Sequence, residues 1–92
     1  MPITKIKHKG LKELFQTGKT SKINKRYHAN CIYIMDFLDN VTDLAQCIGI
    51  QNFHELKGMR KGEYSMHASG NWCITFEWED PDVLILNFED YH

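Results

Sequence analysis

Three short segments of the sequence combine side chains that exchange protons, carry positive charge or donate hydrogen bonds. They are His54-Glu55-Leu56-Lys57 with the nearby Arg60 and Lys61, then Gly70-Asn71-Trp72-Cys73, and then Glu89-Asp90-Tyr91-His92. Histidines exchange protons near neutral pH, and loop cations are the type of group that holds phosphates. These residue types fit metal-free cleavage of RNA. One group removes the proton of a 2′-hydroxyl, a cation stabilises the oxyanion at phosphorus, and an acid protonates the departing 5′-oxygen.

Each of these residues also has an ordinary structural interpretation. A lone histidine such as His54 is more often hydrogen-bonded at the surface than catalytic, and the three cations fit a solvated turn. Asn71 fits a turn as well, while Asp90 could end a strand and His92 could be frayed. The pattern therefore indicates a candidate site whose residues must first be brought together by the fold.

Helical spacing of apolar residues covers the first half of the chain. Leu11, Leu14 and Phe15 predict a helix over residues 9–17, which Gly18 would end. A second helix over 25–40, with Ser21 or Asn24 as a cap, is predicted by Tyr27, Cys31, Ile34, Met35 and Leu38. Asp43 could start one further turn. The basic segment 3–8 could form an edge strand.

A period of two replaces the helical spacing from residue 64 onwards. Alternation predicts strands over 64–69 and 72–79, joined at Gly70-Asn71 by a turn in which both residues tolerate positive φ. Asp80-Pro81-Asp82 predicts a second turn before a strand over 83–88, and a first strand is expected at 52–56. Helices followed by antiparallel strands predict an α+β fold, two helices on a small twisted sheet, as a single domain over residues 1–92.

Composition and cysteine content narrow the functional class. The chain has 92 residues, 42% hydrophobic and 25% charged, which is typical of a globular domain. It shows neither an apolar run of about 20 residues nor a signal-peptide core, so we expect a cytoplasmic protein without a membrane partner. Cys31, Cys47 and Cys73 lack disulfide or zinc spacing, and no phosphate-binding glycine loop is present. We expect no metal and no cofactor.

Charge is polarised along the chain although the net charge is only −1. Residues 1–30 carry eight cations and one acid, whereas residues 63–92 carry seven acids and no Lys or Arg. The basic third could contact a polyanion, or it could pair with the acidic third inside the fold.

Four collinear strings of residues resemble one toxin family. They are Ile6-Lys7-His8-Lys9-Gly10-Leu11-Lys12, His54-Glu55-Leu56-Lys57-Gly58 with Arg60-Lys61-Gly62, Gly70-Asn71-Trp72-Cys73-Ile74-Thr75-Phe76, and Asp90-Tyr91-His92. The chain resembles the HigB toxins of the RelE/ParE superfamily, also called plasmid-maintenance or proteic killer proteins. The resemblance spans nearly the whole chain.

The resemblance implies a microbial-ribonuclease-like fold and a type II toxin that cleaves mRNA in the ribosomal A site. It implies a HigA-type helix-turn-helix antitoxin as partner, with operator DNA contacted only through that antitoxin. His54 and His92 would be the acid-base residues, and Lys57 would face a phosphate. Asn71, Asp90 and Tyr91 would orient them or the substrate. Negative charge near His92 favours its protonated imidazole, which indicates a proton donor.

One position departs from the family pattern. The family has an arginine, thought to contact the scissile phosphate, where this chain has Cys73. The loss of such a contact typically costs about 10²- to 10³-fold in rate, so the toxin is either attenuated or uses Arg60 or Lys61 instead. The acidic third is expected to lie away from the RNA. A non-catalytic antitoxin-binding module and a ParE-like gyrase poison remain alternative functions.

Overall fold

Two helices from the amino-terminal half cover one face of a four-stranded antiparallel sheet. In the computed structural model, which describes residues 2–90, helix α1 spans Lys9–Thr17 and helix α2 spans His28–Leu38. The strands are β1 (His54–Glu55), β2 (Glu63–Ser69), β3 (Trp72–Glu79) and β4 (Asp82–Asp90), which lie side by side in that order. This architecture confirms the predicted α+β class.

The predicted elements are present, with shifted ends. The first helix matches its prediction, whereas the second begins as a 3₁₀ turn over Lys25–Tyr27 and ends at Leu38. Strand β1 is shorter than the predicted 52–56, and at its start Asn52 has a left-handed φ of 54°, which regular strand backbone does not adopt. Residues 3–8 lie along β4 and make two isolated parallel bridges to it.

The start of α1 depends on an unusual cap. The His8 ring nitrogen Nδ1 accepts backbone N–H bonds from Gly10 (3.0 Å) and Leu11 (3.3 Å). Burial lowers the pKa of His8, which favours the neutral ring that this cap requires. A Cβ at Gly10 would lie 2.9 Å from the His8 Cε1 atom, so glycine leaves room for the ring. At the other end, Gly18 adopts the left-handed φ of 81° that closes the helix.

The core lies between the helices and one face of the sheet. It combines apolar residues of α1 and α2 with alternate residues of the strands, among them Leu11, Leu14, Ile34, Met35, Leu38, Met66, Ile74, Phe76 and Leu86, all at most 2% exposed. Strand residues between these core positions point to the opposite side of the sheet. We call that side the open face.

A bulge in β4 decides which of its residues reach the open face. Thr75 pairs with Asn87 and Glu77 pairs with Leu84, so β4 has one more residue than β3 in this interval. The extra residue is accommodated at Ile85, whose φ is 57°. Val83 and Leu86 are therefore both buried in the core, and Asn87 and Glu89 point to the open face.

Within residues 2–90, no helix is long and apolar enough to cross a membrane.

Candidate active site

The open face carries two rows of polar side chains that cross the sheet. Paired residues of antiparallel strands point to the same side, so the register reads directly as rows. The first row is His54, Ser65, Thr75 and Asn87, and the second is His67, Cys73 and Glu89. Two of the predicted site residues, His54 and Cys73, thus share this face.

His54 is exposed on β1, and its ring has a defined orientation. Its Nδ1 lies 2.9 Å from the carbonyl oxygen of Asn52. Because a carbonyl only accepts, this hydrogen bond requires the proton on Nδ1 and leaves the lone pair of Nε2 available. The preceding Gln51 is anchored to β2, since its carbonyl and its side-chain amide both bond to the backbone of His67. The arrangement presents Nε2 as a proton acceptor.

Arg60 lies over the open face and is held there by two carboxylates. Its Nη1 and Nη2 donate to the two carboxylate oxygens of Glu89 at 2.8 and 2.7 Å, and Nη2 also donates to Glu63 at 2.7 Å. A longer bond of 3.4 Å joins Nε to Glu63. The hydrogen bonds to Glu89 and Glu63 raise the pKa of Arg60, and the bond from Arg60 holds the pKa of Glu89 below its usual range.

Two small hydroxyl residues lie at the centre of the open face. Thr75 is buried and donates a hydrogen bond to Glu89, while the Ser65 Oγ is buried without a hydrogen-bond partner among the residues that the structure describes. A polar cavity of about 310 Å³ opens beside Thr75 and is lined by Lys7, Arg60, Glu63, Ile85, Asn87 and Glu89. Glu63 and Thr75 were not predicted as site residues, and Glu89 was named only as part of the segment 89–92, without a role.

The structure gathers some predicted site residues at one end of the sheet. Asn71 lies in the turn between β2 and β3 and Asp90 ends β4, so the antiparallel order brings these two to the same end, whereas His54 pairs with Ser65 in a row nearer the middle of the sheet. Asn71 and Asp90 are exposed, and Asp90 pairs with Trp72 rather than with an open-face residue. In the connecting turn only Gly70 has a positive φ, 58°, so Asn71 does not adopt the positive φ that it was expected to tolerate there.

The remaining predicted residues lie elsewhere. Lys57 and Lys61 are exposed and flank the 3₁₀ turn Gly58–Arg60, at the opposite end of β2 from Asn71. Cys73 is 7% exposed and pairs with Glu89. Tyr91 and His92 lie outside the described residues.

Acidic side chains of the last third lie on the open face, where Glu63, Glu77 and Glu89 share it with His54. The expectation that these acids lie away from the RNA stays a prediction. Within residues 2–90, no ion pair joins the basic first third to the acidic last third, because Lys22 pairs with Glu13 and the described carboxylate partners of Arg60 are Glu63 and Glu89. In the same range, no group of three or more His, Cys, Asp or Glu side chains is arranged to hold a metal ion.

Helices on one face of a small antiparallel sheet, with a histidine and an arginine on the other, are consistent with the RelE-like class of toxins. A family model described as the RelE-like toxin of the type II toxin-antitoxin system HigB matches residues 4–92. The chain belongs to this HigB family, as its sequence motifs predicted. It is also 39% identical, over 99 aligned residues, to the endoribonuclease HigB of Proteus vulgaris, and the alignment covers 98% of this chain and 99% of that protein.

Proposed function

We propose that this HigB family toxin is an endoribonuclease that cleaves mRNA on the ribosome by metal-free acid-base chemistry. The family and the near full-length similarity to a protein named endoribonuclease HigB support the reaction class. The single observation that carries the chemical proposal is the orientation of His54, whose Nδ1 is engaged by the Asn52 carbonyl. A histidine held in this way is suited to remove a proton through Nε2.

The proposed reaction moves one proton at each end of the broken bond. His54 Nε2 takes the proton of a ribose 2′-hydroxyl, and the oxygen attacks the adjacent phosphorus. The bond from phosphorus to the 5′-oxygen breaks, and an acid returns a proton to that oxygen. The products are a 2′,3′-cyclic phosphate and a 5′-hydroxyl. We assign the acid to His92, as its sequence neighbourhood predicted.

The other predicted residues take supporting roles in this proposal. Lys57, exposed in the turn that follows β1, offers its ammonium group to a phosphate oxygen. Asn71 and Asp90, which lie together at one end of the sheet, orient the acid or the substrate, and Tyr91 joins them. Lys61 is a second exposed cation near Lys57.

We also propose that Cys73 attenuates the toxin. At least four of the five N–H donors of Arg60 are already used by Glu63 and Glu89, so Arg60 has little capacity left to replace a phosphate-binding arginine. A thiol cannot supply a forked cation in its place.

The proposed partners follow from the family. The ribosome would position the A-site mRNA for this toxin in the cytoplasm, and a HigA-type helix-turn-helix antitoxin would neutralise it and contact the operator DNA. Residues 1–92 would act as one toxin domain. Family membership itself establishes only that the toxin belongs to a type II toxin-antitoxin system.

Toeprinting on programmed ribosomes tests this proposal. Wild-type protein should stop reverse transcription at a cut codon in the A site, and His54→Ala should slow cleavage by about 10²- to 10⁴-fold. His67→Ala is the matched control, because His67 shares the open face but its Nε2 is engaged by the Gly70 carbonyl at 2.7 Å. It should retain cleavage within about threefold of wild type, well short of the loss of a general base.

The same assay separates the alternative functions. An uncut message together with intact antitoxin binding would indicate a non-catalytic module. Growth arrest with inhibited gyrase and intact mRNA would indicate a ParE-like poison.

A further inference from the structure

Arg60 and Glu89 join two parts of the chain that carry proposed site residues. Arg60 closes the 3₁₀ turn that begins just after Lys57, and Glu89 directly precedes Asp90 in β4. The other partner of Arg60, Glu63, begins β2, and β3 lies between β2 and β4, so the arginine side chain bridges about 10 Å of sheet, two strand spacings. Within the described residues, this contact is a direct link between the turn and the end of β4.

The contact has the geometry of a specific clasp. Both Glu89 oxygens accept from separate nitrogens of Arg60, which is the bidentate arrangement that fixes orientation as well as distance. Thr75 donates to the same carboxylate from β3 and so fixes its rotamer. Glu63 holds the other edge of the guanidinium. Both members are partly shielded from solvent, with side-chain exposures of 33% for Arg60 and 22% for Glu89.

We propose that Glu89 is a positioning residue for cleavage: by holding Arg60, it fixes the turn containing Lys57 relative to the end of β4. This inference rests on the proposed function, because it concerns the alignment of the phosphate-binding turn with the strand end that leads to the acid. It gives Arg60 a role different from the phosphate contact predicted from its sequence position. Lys57 and Lys61 are left to meet the phosphate.

Charge separates this proposal from a competing interpretation of the same contact. Arg60 with two carboxylates sums to −1, so the cluster as a whole does not attract phosphate. If instead the carboxylates merely occupied a phosphate site on Arg60, their removal would expose the cation and improve substrate binding. A positioning role requires the opposite result, a slower chemical step with little change in substrate binding.

A double-mutant cycle on ribosomal cleavage tests the positioning role. Glu89→Gln keeps the shape of the side chain but loses the bidentate ion pair, and Arg60→Gln removes the other partner. Each single variant should lower kcat by about tenfold with KM within threefold of wild type, and the double variant should be no slower than the slower single variant. Glu13→Gln is the matched control. It breaks an exposed ion pair between Glu13 of α1 and Lys22, away from the open face, and should leave kcat unchanged.

Three results of the cycle would overturn the proposal. They are an unchanged kcat in Glu89→Gln, a lower KM in that variant, and losses that multiply in the double variant. The last result would show that Glu89 acts without Arg60. Thermal unfolding of every variant is measured in parallel, so that a loss of folded protein is corrected for before rates are compared.

Amide hydrogen exchange tests the structural half of the proposal without any substrate. The Arg60 and Lys61 amides make the turn's own hydrogen bonds, to the carbonyls of Lys57 and Gly58. Glu89→Gln should speed their exchange by about tenfold relative to amides at the centre of β3, whereas Glu13→Gln should not. Unchanged exchange would refute the clasp even if cleavage fell. A wild-type protein that cleaves no mRNA, combined with faster exchange in Glu89→Gln, would refute the proposed function and the role in cleavage but retain the clasp.

Discussion

Replacement of Cys73 by arginine is the most direct test of attenuation. Position 73 lies on the open face, one residue pair from Thr75 along β3 and directly opposite Glu89. An arginine there would extend over the face that carries His54 and would add a forked cation beside the proposed scissile phosphate. We expect Cys73→Arg to cleave mRNA faster than wild type and to arrest growth at lower expression.

The size of the gain follows from two opposing contributions. A transition-state charge contact is worth about 2.7–4 kcal/mol. Position 73 faces the Glu89 carboxylate, and a cross-strand ion pair formed before the reaction would offset about 0.2–1 kcal/mol of that gain. About 1.7–3.8 kcal/mol remains, which corresponds to about 20- to 600-fold in kcat/KM.

Two control substitutions separate charge from shape at the same position. Cys73→Lys adds a cation without the fork and should give a smaller gain, whereas Cys73→Met adds length without charge and should give none. Rates are measured on programmed ribosomes, with thermal unfolding as the check on folding. Equal cleavage by wild type and Cys73→Arg would refute attenuation and would favour a cation already present in the chain.

Three further predictions concern stability. His8→Ala should cost about 1 kcal/mol, because it removes the cap that accepts from Gly10 and Leu11, and urea unfolding measures the loss. Burial lowers the pKa of His8 in the folded state, so the contribution of His8 to the free energy of unfolding is complete above the unfolded-state pKa of 6.5. This contribution is lost as pH falls through the folded-state pKa. The free energies of unfolding of His8→Ala and wild type should therefore converge below pH 6.5. The pKa of Glu89 is also lowered, chiefly by Arg60, so the contribution of Glu89 to the free energy of unfolding is present above its ordinary pKa of 4.5 and is lost as pH falls through its folded-state pKa. In the same urea measurements, the free energy of unfolding of Glu89→Gln should therefore fall less steeply at acid pH than that of wild type. Gly10→Ala should lower the melting temperature although alanine favours helix, since the new Cβ would contact the His8 ring and Ile23 at 2.9 and 3.0 Å; an unchanged or higher melting temperature would contradict this packing argument.

Periodicity predicts elements well where one face of an element is buried and the other is not. That condition holds for α1, whose predicted limits match the structure. The limits of β3 also match, although Cys73 and Thr75 on its open face are buried. The condition fails in β4, where Val83-Leu84-Ile85-Leu86 is apolar throughout and gives no sign of a bulge. Because the bulge decides the side to which Glu89 points, the sequence could not reveal that this carboxylate belongs to the open face.

For the candidate site, the sequence could indicate which residues to consider but not how their side chains are arranged. Residue type and local spacing were enough to select His54 and Lys57 as candidates. The hydrogen bond that orients His54 depends on the left-handed backbone at Gln51 and Asn52, which no local motif indicated. The Arg60 clasp depends on a side chain that bridges two strand spacings, and only tertiary structure defines such a contact.

The charge of the open face bears on how the proposed nuclease acquires its substrate. The cavity is lined by two cations, Lys7 and Arg60, and two carboxylates, Glu63 and Glu89. Glu77, the cross-strand partner of Glu63, adds a third carboxylate, so these five charges sum to −1. Phosphate affinity grows with the number of cations that meet the backbone, so this face alone attracts free RNA poorly. The other cations of the basic first third, which make no ion pair with the acidic third within residues 2–90, can supply that attraction. A scaffold that holds both the toxin and the message removes the need for tight binding at the cleavage face, which is why the proposal assigns substrate positioning to the ribosome.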